Sequence, residues 1–132
     1  ASGHIVTRFH PSPGVSTQNV GIIDSGSSSL FFSDASLSIP SCLSFLYCPA
    51  APLNFSAVNT ELSGVPSSTV SFQIVDPRPL LQAGNAAISN IGGPAFAPGV
   101  FDWGLPFFFG RTIYVGLSGQ TSVLGTGPFW AY

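Results

Sequence analysis

The side chains able to do chemistry are few: four Asp, one Glu, two His, two Cys and three Arg in 132 residues, with no Lys. Asp24 stands apart by its surroundings. It ends an apolar run, Val20-Gly21-Ile22-Ile23, and is followed by Ser25-Gly26-Ser27-Ser28-Ser29 before a second apolar run, Leu30-Phe31-Phe32. A carboxylate between two hydrophobic strands is expected to be partly buried, with the following hydroxyls donating to its oxygens and Gly26 permitting a tight turn. That is the setting of a carboxylate presented at a loop tip for acid/base work. The same residues also suit an ordinary hairpin turn, because Asp, Ser and Gly dominate turns.

The remaining groups offer less. Asp34 and Asp102 lie in no second Asp-Ser/Thr-Gly loop, and surface or capping roles are expected for both. His4 and His10 read as exposed strand residues. The serines at 27 to 29 lack the Gly-x-Ser-x-Gly frame of a hydrolase nucleophile. Trp103 and Phe107-Phe108-Phe109 are expected in the core. Gly92-Gly93-Pro94 reads as a loop, since a phosphate cradle would want a Lys. Cys42 and Cys48, with five residues between them, can close a small disulfide loop suited to an oxidising compartment, or stay as two buried thiols. Their spacing makes a poor zinc site. No metal and no cofactor is expected.

The elements that must position these groups are strands. Gly or Pro recurs every few residues among abundant Val, Ile, Phe and Thr, so the chain reads as all-β. Strands are expected over His4 to His10, Val20 to Asp24, Leu30 to Phe32, Val70 to Val75, Thr112 to Leu117 and Ser122 to Leu124. Short helices fit Pro79 to Ala83 and Pro106 to Phe109. Loops are expected over Pro11 to Ser16, Pro49 to Asn54, Leu62 to Ser68 and Gly92 to Gly99.

Composition narrows the classes. The chain is 45% hydrophobic and 6% charged, where soluble domains carry about a quarter of charged residues. Arg8, Arg78 and Arg111 cannot form the basic stripe that nucleic-acid binding needs. No run reaches the roughly 18 apolar residues of a membrane span. At low pH few positive charges remain to repel one another, which favours an extracellular or acid-exposed setting. A start at Ala1 without any Met points to a processed form or an excised domain.

Two patterns together carry a resemblance. Ile22-Ile23-Asp24-Ser25-Gly26-Ser27 with Leu30-Phe31-Phe32 resembles the active-site loop of pepsin-like aspartic proteases. In each lobe of that family a hydrophobic pair ending in Gly passes beside the loop, and a short helix then leads into a strand. The stretch from Asp102 through Gly104 to Val115 has that form, and Gly104 follows Asp24 by 80 residues. From about Asn19 to Tyr132 the chain also resembles the C-terminal part of an uncharacterised bacterial family, known mainly from proteobacteria related to Burkholderia and catalogued as a domain of unknown function. The shared segments include Phe45-Leu46-Tyr47-Cys48-Pro49, Ile91-Gly92-Gly93-Pro94, Phe101 to Arg111 and Gly125 to Tyr132.

The resemblance implies a single lobe of a pepsin-like acid-protease fold, barrel-like with one or two very short helices. Residues 1–18 would be an N-terminal strand or arm and residues 19–132 the lobe. It implies Asp24 as one carboxylate of a two-Asp dyad, Ser25 as the side chain tying two such loops together, Gly26 as the turn, Ser27 as a donor to Asp24 and Gly104 as a close-approach glycine. Full-length relatives carry a preceding half with its own Asp-Thr-Gly-Ser. The second carboxylate would therefore come from that N-terminal lobe or from a second copy of the chain, acting on a peptide substrate. A secreted or periplasmic protein is expected. The alternative is a non-enzymatic extracellular subunit, a filament, surface layer or binding module on the same fold, with an exposed Ser2 to His10 segment free to add as a strand to a neighbour.

Overall fold

In β1 (Ile5–Ser12) Thr7, Phe9 and Pro11 turn inward while Arg8 and Ser12 face solvent, the period of two required of a strand with one covered face. The computed structural model describes residues 3–85 and 87–132. From β1 the chain turns at Pro13 and Gly14, the latter at φ +79, into β2 (Val15–Ile23). In chain order there follow β3 (Leu30–Phe31), β4 (Ser41–Cys42), β5 (Leu46–Tyr47), β6 (Leu53–Thr60), β7 (Ser67–Ile74), helix α1 (Pro77–Gln82), β8 (Gly92–Gly93) and β9 (Val100–Trp103). A 3₁₀ turn over Leu105–Phe108 then leads to β10 (Tyr114–Gly116), β11 (Thr121–Ser122), β12 (Gly125–Thr126) and β13 (Phe129–Ala131).

Seven strands form one curled sheet in the order β7-β6-β1-β2-β9-β3-β8. Residues 5 to 10 are therefore no free arm. Most of β1 is paired on both sides, with Phe9 opposite Thr17 of β2 and Ala57 of β6, and Thr7 and Phe9 are fully buried. Ser2 lies outside the described residues. The crossing that matters most is at β9, which runs parallel to β2 and antiparallel to β3. It is threaded between the two strands that flank the Asp24 loop.

The sheet curls around aromatic rings. Phe32 stacks on Phe101 at 5.2 Å between centroids, Phe9 meets Phe32 at 5.0 Å, and Phe101 meets Trp103 at 4.4 Å. Phe9, Phe32, Phe101 and Trp103 are all fully buried, each removing enough apolar surface from water for about 1.5–3 kcal/mol. Three polar groups inside this core bond to one another: Trp103 Nε1 donates to Thr7 Oγ1 (3.0 Å) and Asn59 Oδ1 (3.1 Å), and Thr7 Oγ1 donates to Asn59 Oδ1 (2.7 Å), while Asn59 Nδ2 has no partner. Buried polar atoms without such partners would cost the fold more than these bonds return.

Among the described residues the chain is mostly β, with one short α-helix and one 3₁₀ turn, as its composition indicates. α1 starts two residues earlier than Pro79, because Asp76 caps it by accepting from the Arg78 N–H, and Pro is well suited to the first turn. Several strands differ from expectation; among them Gly92 and Gly93, expected in a loop, form the buried strand β8 beside β3, and the strand expected over Ser122 to Leu124 is instead the β11–β12 hairpin with Val123 and Leu124 at its turn. β6 begins inside the segment expected to be a loop and fills the gap beyond it; its inward positions are Phe55, Ala57 and Asn59, and Ala and Asn carry little strand preference. β9 is hidden in the sequence by the charge of Asp102. The Pro11 to Ser16 loop is instead the tip of the β1–β2 hairpin. Cys42 and Cys48 form a disulfide across the β4–β5 hairpin. Among the described residues no helix is long and apolar enough to cross a membrane.

Candidate functional site

β2 ends at Ile23, and the chain must reverse before β3, so residues 24 to 29 form a loop. Four contacts fix it. The Asp24 N–H donates to Trp103 O (3.1 Å), Ser27 N–H to Asp24 O (3.3 Å), and Leu105 N–H to Ser27 O (2.7 Å). The fourth is steric: a Cβ on Gly104 would lie 2.1 Å from Ser29 O and 2.7 Å from Ser27 O, so only hydrogen fits where the chain leaves β9. The loop is thus clamped at both ends by the strand threaded beneath it.

Within the loop the Asp24 carboxylate is half-buried, and Ser25 and Gly26 are exposed. Oδ1 accepts from the Gly26 N–H at 2.8 Å, and Oδ2 lies 3.0 Å from Ser27 Oγ. A carboxylate with hydrogen-bond partners on both oxygens is held in one orientation. Asp24, Ser25, Gly26, Ser27 and Gly104 therefore meet in one place, 80 residues of chain separating its two halves.

Asp102 joins them, against the surface or capping role expected for it. It is 3% exposed, pairs with Ile22 on one side and Phe31 on the other, and its Oδ2 lies 2.6 Å from Ser27 Oγ. Burial pushes its carboxyl group above the usual carboxylate range; the bond to Ser27 opposes this and the nearby Asp24 charge adds to it. The sequence carried a signal that could have found it, a lone acid within the apolar run Val100-Phe101-Asp102-Trp103. A charge in such a run is either paired or functional. Asp34 is placed elsewhere: it accepts from the Ser36 N–H and Oγ and from Thr17 Oγ1, a local turn role. Burial works against ionisation there, but the bonds from Ser36 and Thr17 hold its carboxyl below the usual range.

The other sequence candidates stay apart. Cys42, Cys48 and Asp76 come close together, but both sulfurs are taken up in the disulfide, which removes them as thiolate ligands. A shallow groove of about 860 Å³ lined by residues that include His10, Asn54, Phe55 and Phe72 lies at the far end of β1 from Asp24, where His10 pairs with Ser56. His10 is the one titratable side chain in it, so it offers no set of groups for acid/base chemistry.

No curated protein and no solved structure matches the chain significantly. The family model described as protein of unknown function (DUF3443) matches residues 2–132, almost the whole chain, and the chain belongs to that family.

Proposed function

We propose that the chain is an aspartic-peptidase-like lobe that contributes one carboxylate, Asp24, to a two-carboxylate site for peptide hydrolysis. One observation carries the reading: Asp24 sits on a loop between two strands with a third threaded between them, and Gly104 at the end of that third strand abuts the loop. This is the juxtaposition that the resemblance to pepsin-like proteases implies, reached by two segments far apart in sequence.

The chemistry needs a second carboxyl group. An ionised carboxylate takes a proton from water as the water attacks the peptide carbonyl, while a protonated partner donates to the carbonyl oxygen. Asp102 is not that partner, because it is buried on the inner side of Ser27 and cannot reach a substrate. The second acid comes from an N-terminal lobe or from a second copy of this chain. Exposed Ser25 is free to bond to the opposing loop. The disulfide is compatible with a secreted or periplasmic protein.

Turnover of peptides at acid pH by the paired protein tests the reading. Asp24→Asn is expected to lose at least about 10²-fold in kcat, the scale of general acid/base catalysis. Unchanged turnover would remove Asp24 from the mechanism.

A second reading has its own support. The C-terminal strands leave Val115, Leu117 and Leu124 more than half exposed and Val123 fully so, apolar surface that suits association. A non-enzymatic, self-assembling subunit predicts filaments or higher polymers in electron micrographs, whereas the peptidase reading predicts a two-lobed particle with the two acids facing each other.

A further inference from the structure

Ser27 Oγ lies 3.0 Å from Asp24 Oδ2 and 2.6 Å from Asp102 Oδ2, yet a hydroxyl carries one hydrogen. With both carboxylates ionised, one of the two contacts would set lone pairs against lone pairs. Both become hydrogen bonds only if one carboxyl group brings a proton of its own. The two acids are not equivalent. Asp24 is half-buried and has the Gly26 N–H on its other oxygen, which suits an anion. Asp102 is 3% exposed and its Oδ1 has no hydrogen-bond partner, which an anion tolerates poorly and a neutral acid tolerates better.

Nothing basic opposes this assignment. The elements packed against Asp102 are β2, β3 and the 3₁₀ turn, and none carries an ionisable side chain. The nearest charge is the negative one of Asp24. Asp34 is engaged with Thr17 and Ser36, and Arg111 lies over the Phe107 ring with its guanidinium donating to Phe107 O.

We propose that Asp102 is a positioning residue for Asp24: as a neutral acid it donates to Ser27 Oγ and so commits the one hydrogen of Ser27 to Asp24 Oδ2. The buried proton then fixes the direction of the chain Asp102, Ser27, Asp24 and holds the half-buried Asp24 carboxylate in one orientation. The inference deepens the peptidase reading and rests on it for the role of Asp24, but its test reads protons rather than turnover.

The test is a pH titration of the folded chain, with the aspartate side-chain carboxyl carbons labelled with ¹³C. In the unmodified protein Asp102 is expected to ionise at higher pH than Asp34 and Asp76, whose carboxyls are held low by hydrogen bonds and, for Asp76, by Arg78 above all. Asp102→Asn removes that late step and, because its amide can still donate to Ser27, leaves the Asp24 carboxyl signal at neutral pH in place. Asp102→Ala removes the donor and shifts that signal, while the amide spectrum of β1 and β6 reports whether the variant is folded. Ionisation of Asp102 together with or before Asp34 and Asp76 overturns the proposal, and this needs no variant to fold. An Asp24 signal in folded Asp102→Ala identical to that of the unmodified chain overturns it as well. Loss of peptidase activity in Asp24→Asn bears on the function alone and leaves the proton assignment standing or falling by the titration.

Discussion

Substituting Gly104 by Ala puts the threading of β9 to a quantitative test. The added methyl would sit 2.1 Å from Ser29 O and 2.7 Å from Ser27 O, and both are backbone atoms that cannot rotate away. Overpacking of this kind costs about 1–3 kcal/mol. Moving the loop to relieve it also breaks the Leu105 N–H bond to Ser27 O, 2.7 Å in the native chain, for about 1 kcal/mol more. The expected loss is about 2–4 kcal/mol. Gly99 supplies the control, since it has φ +71 and nothing within 4 Å of a Cβ; Ala there meets only the left-handed backbone penalty of about 1–2 kcal/mol. In urea, with a slope of about 2 kcal/mol per molar, the unfolding midpoint should fall by about 1–2 M for Gly104→Ala and by about 0.5–1 M for Gly99→Ala. Hydrogen exchange should show protection lost at the Asp24 and Leu105 amides in the first variant only. Equal midpoint shifts, or retained protection at both amides in Gly104→Ala, would refute the clamp.

The titrating acids and the disulfide give further outcomes. The folded chain holds the Asp102 proton more tightly than the unfolded chain does, so this residue's contribution to stability is greatest at low pH. It is lost as pH rises from about 3.8 through the raised folded value; chemical denaturation across that window should show Asp102→Asn with a flatter pH profile than the parent, and parallel profiles would contradict it. Asp34 contributes with the opposite sign, its lowered carboxyl favouring the fold above its usual value and losing that effect as pH falls. The Cys42–Cys48 bridge closes a short loop with a sequence separation of 6, for which the loop-entropy relation gives about 2 kcal/mol. Replacing both by Ser should lower the urea midpoint by about 1 M and leave the Asp24 loop, which lies in a different sheet, with unchanged amide shifts.

Much of the fold was legible in the chain. The strand expected over His4 to His10 covers most of β1, the Pro and Gly spacing excluded long helices, and the pairing of Cys42 with Cys48 was one of two open choices. The elements that escaped did so for local reasons. β6 turns Ala57 and Asn59 inward, residues whose own preferences say little about strands, and it is held by pairing with β1 and β7. β9 has its acid at the centre, where local pattern argues against a buried strand.

The candidate site divides in the same way. The sequence by itself determined the Asp24 loop, because Asp, Gly and two serines between apolar runs encode their own turn and the donors Gly26 and Ser27 lie within three residues of the carboxylate. It also set the poverty of charge that leaves Asp102 without a cation. Only the tertiary structure decided that Asp102 faces Ser27, and it supplies the contact of Gly104 with the loop that the resemblance had implied without local residues to specify it. Both contacts depend on a strand about 75 residues away being threaded between β2 and β3, and a crossing of that kind is specified by the packing of Phe101 and Trp103 into a shared aromatic core rather than by any local preference of the residues that make it.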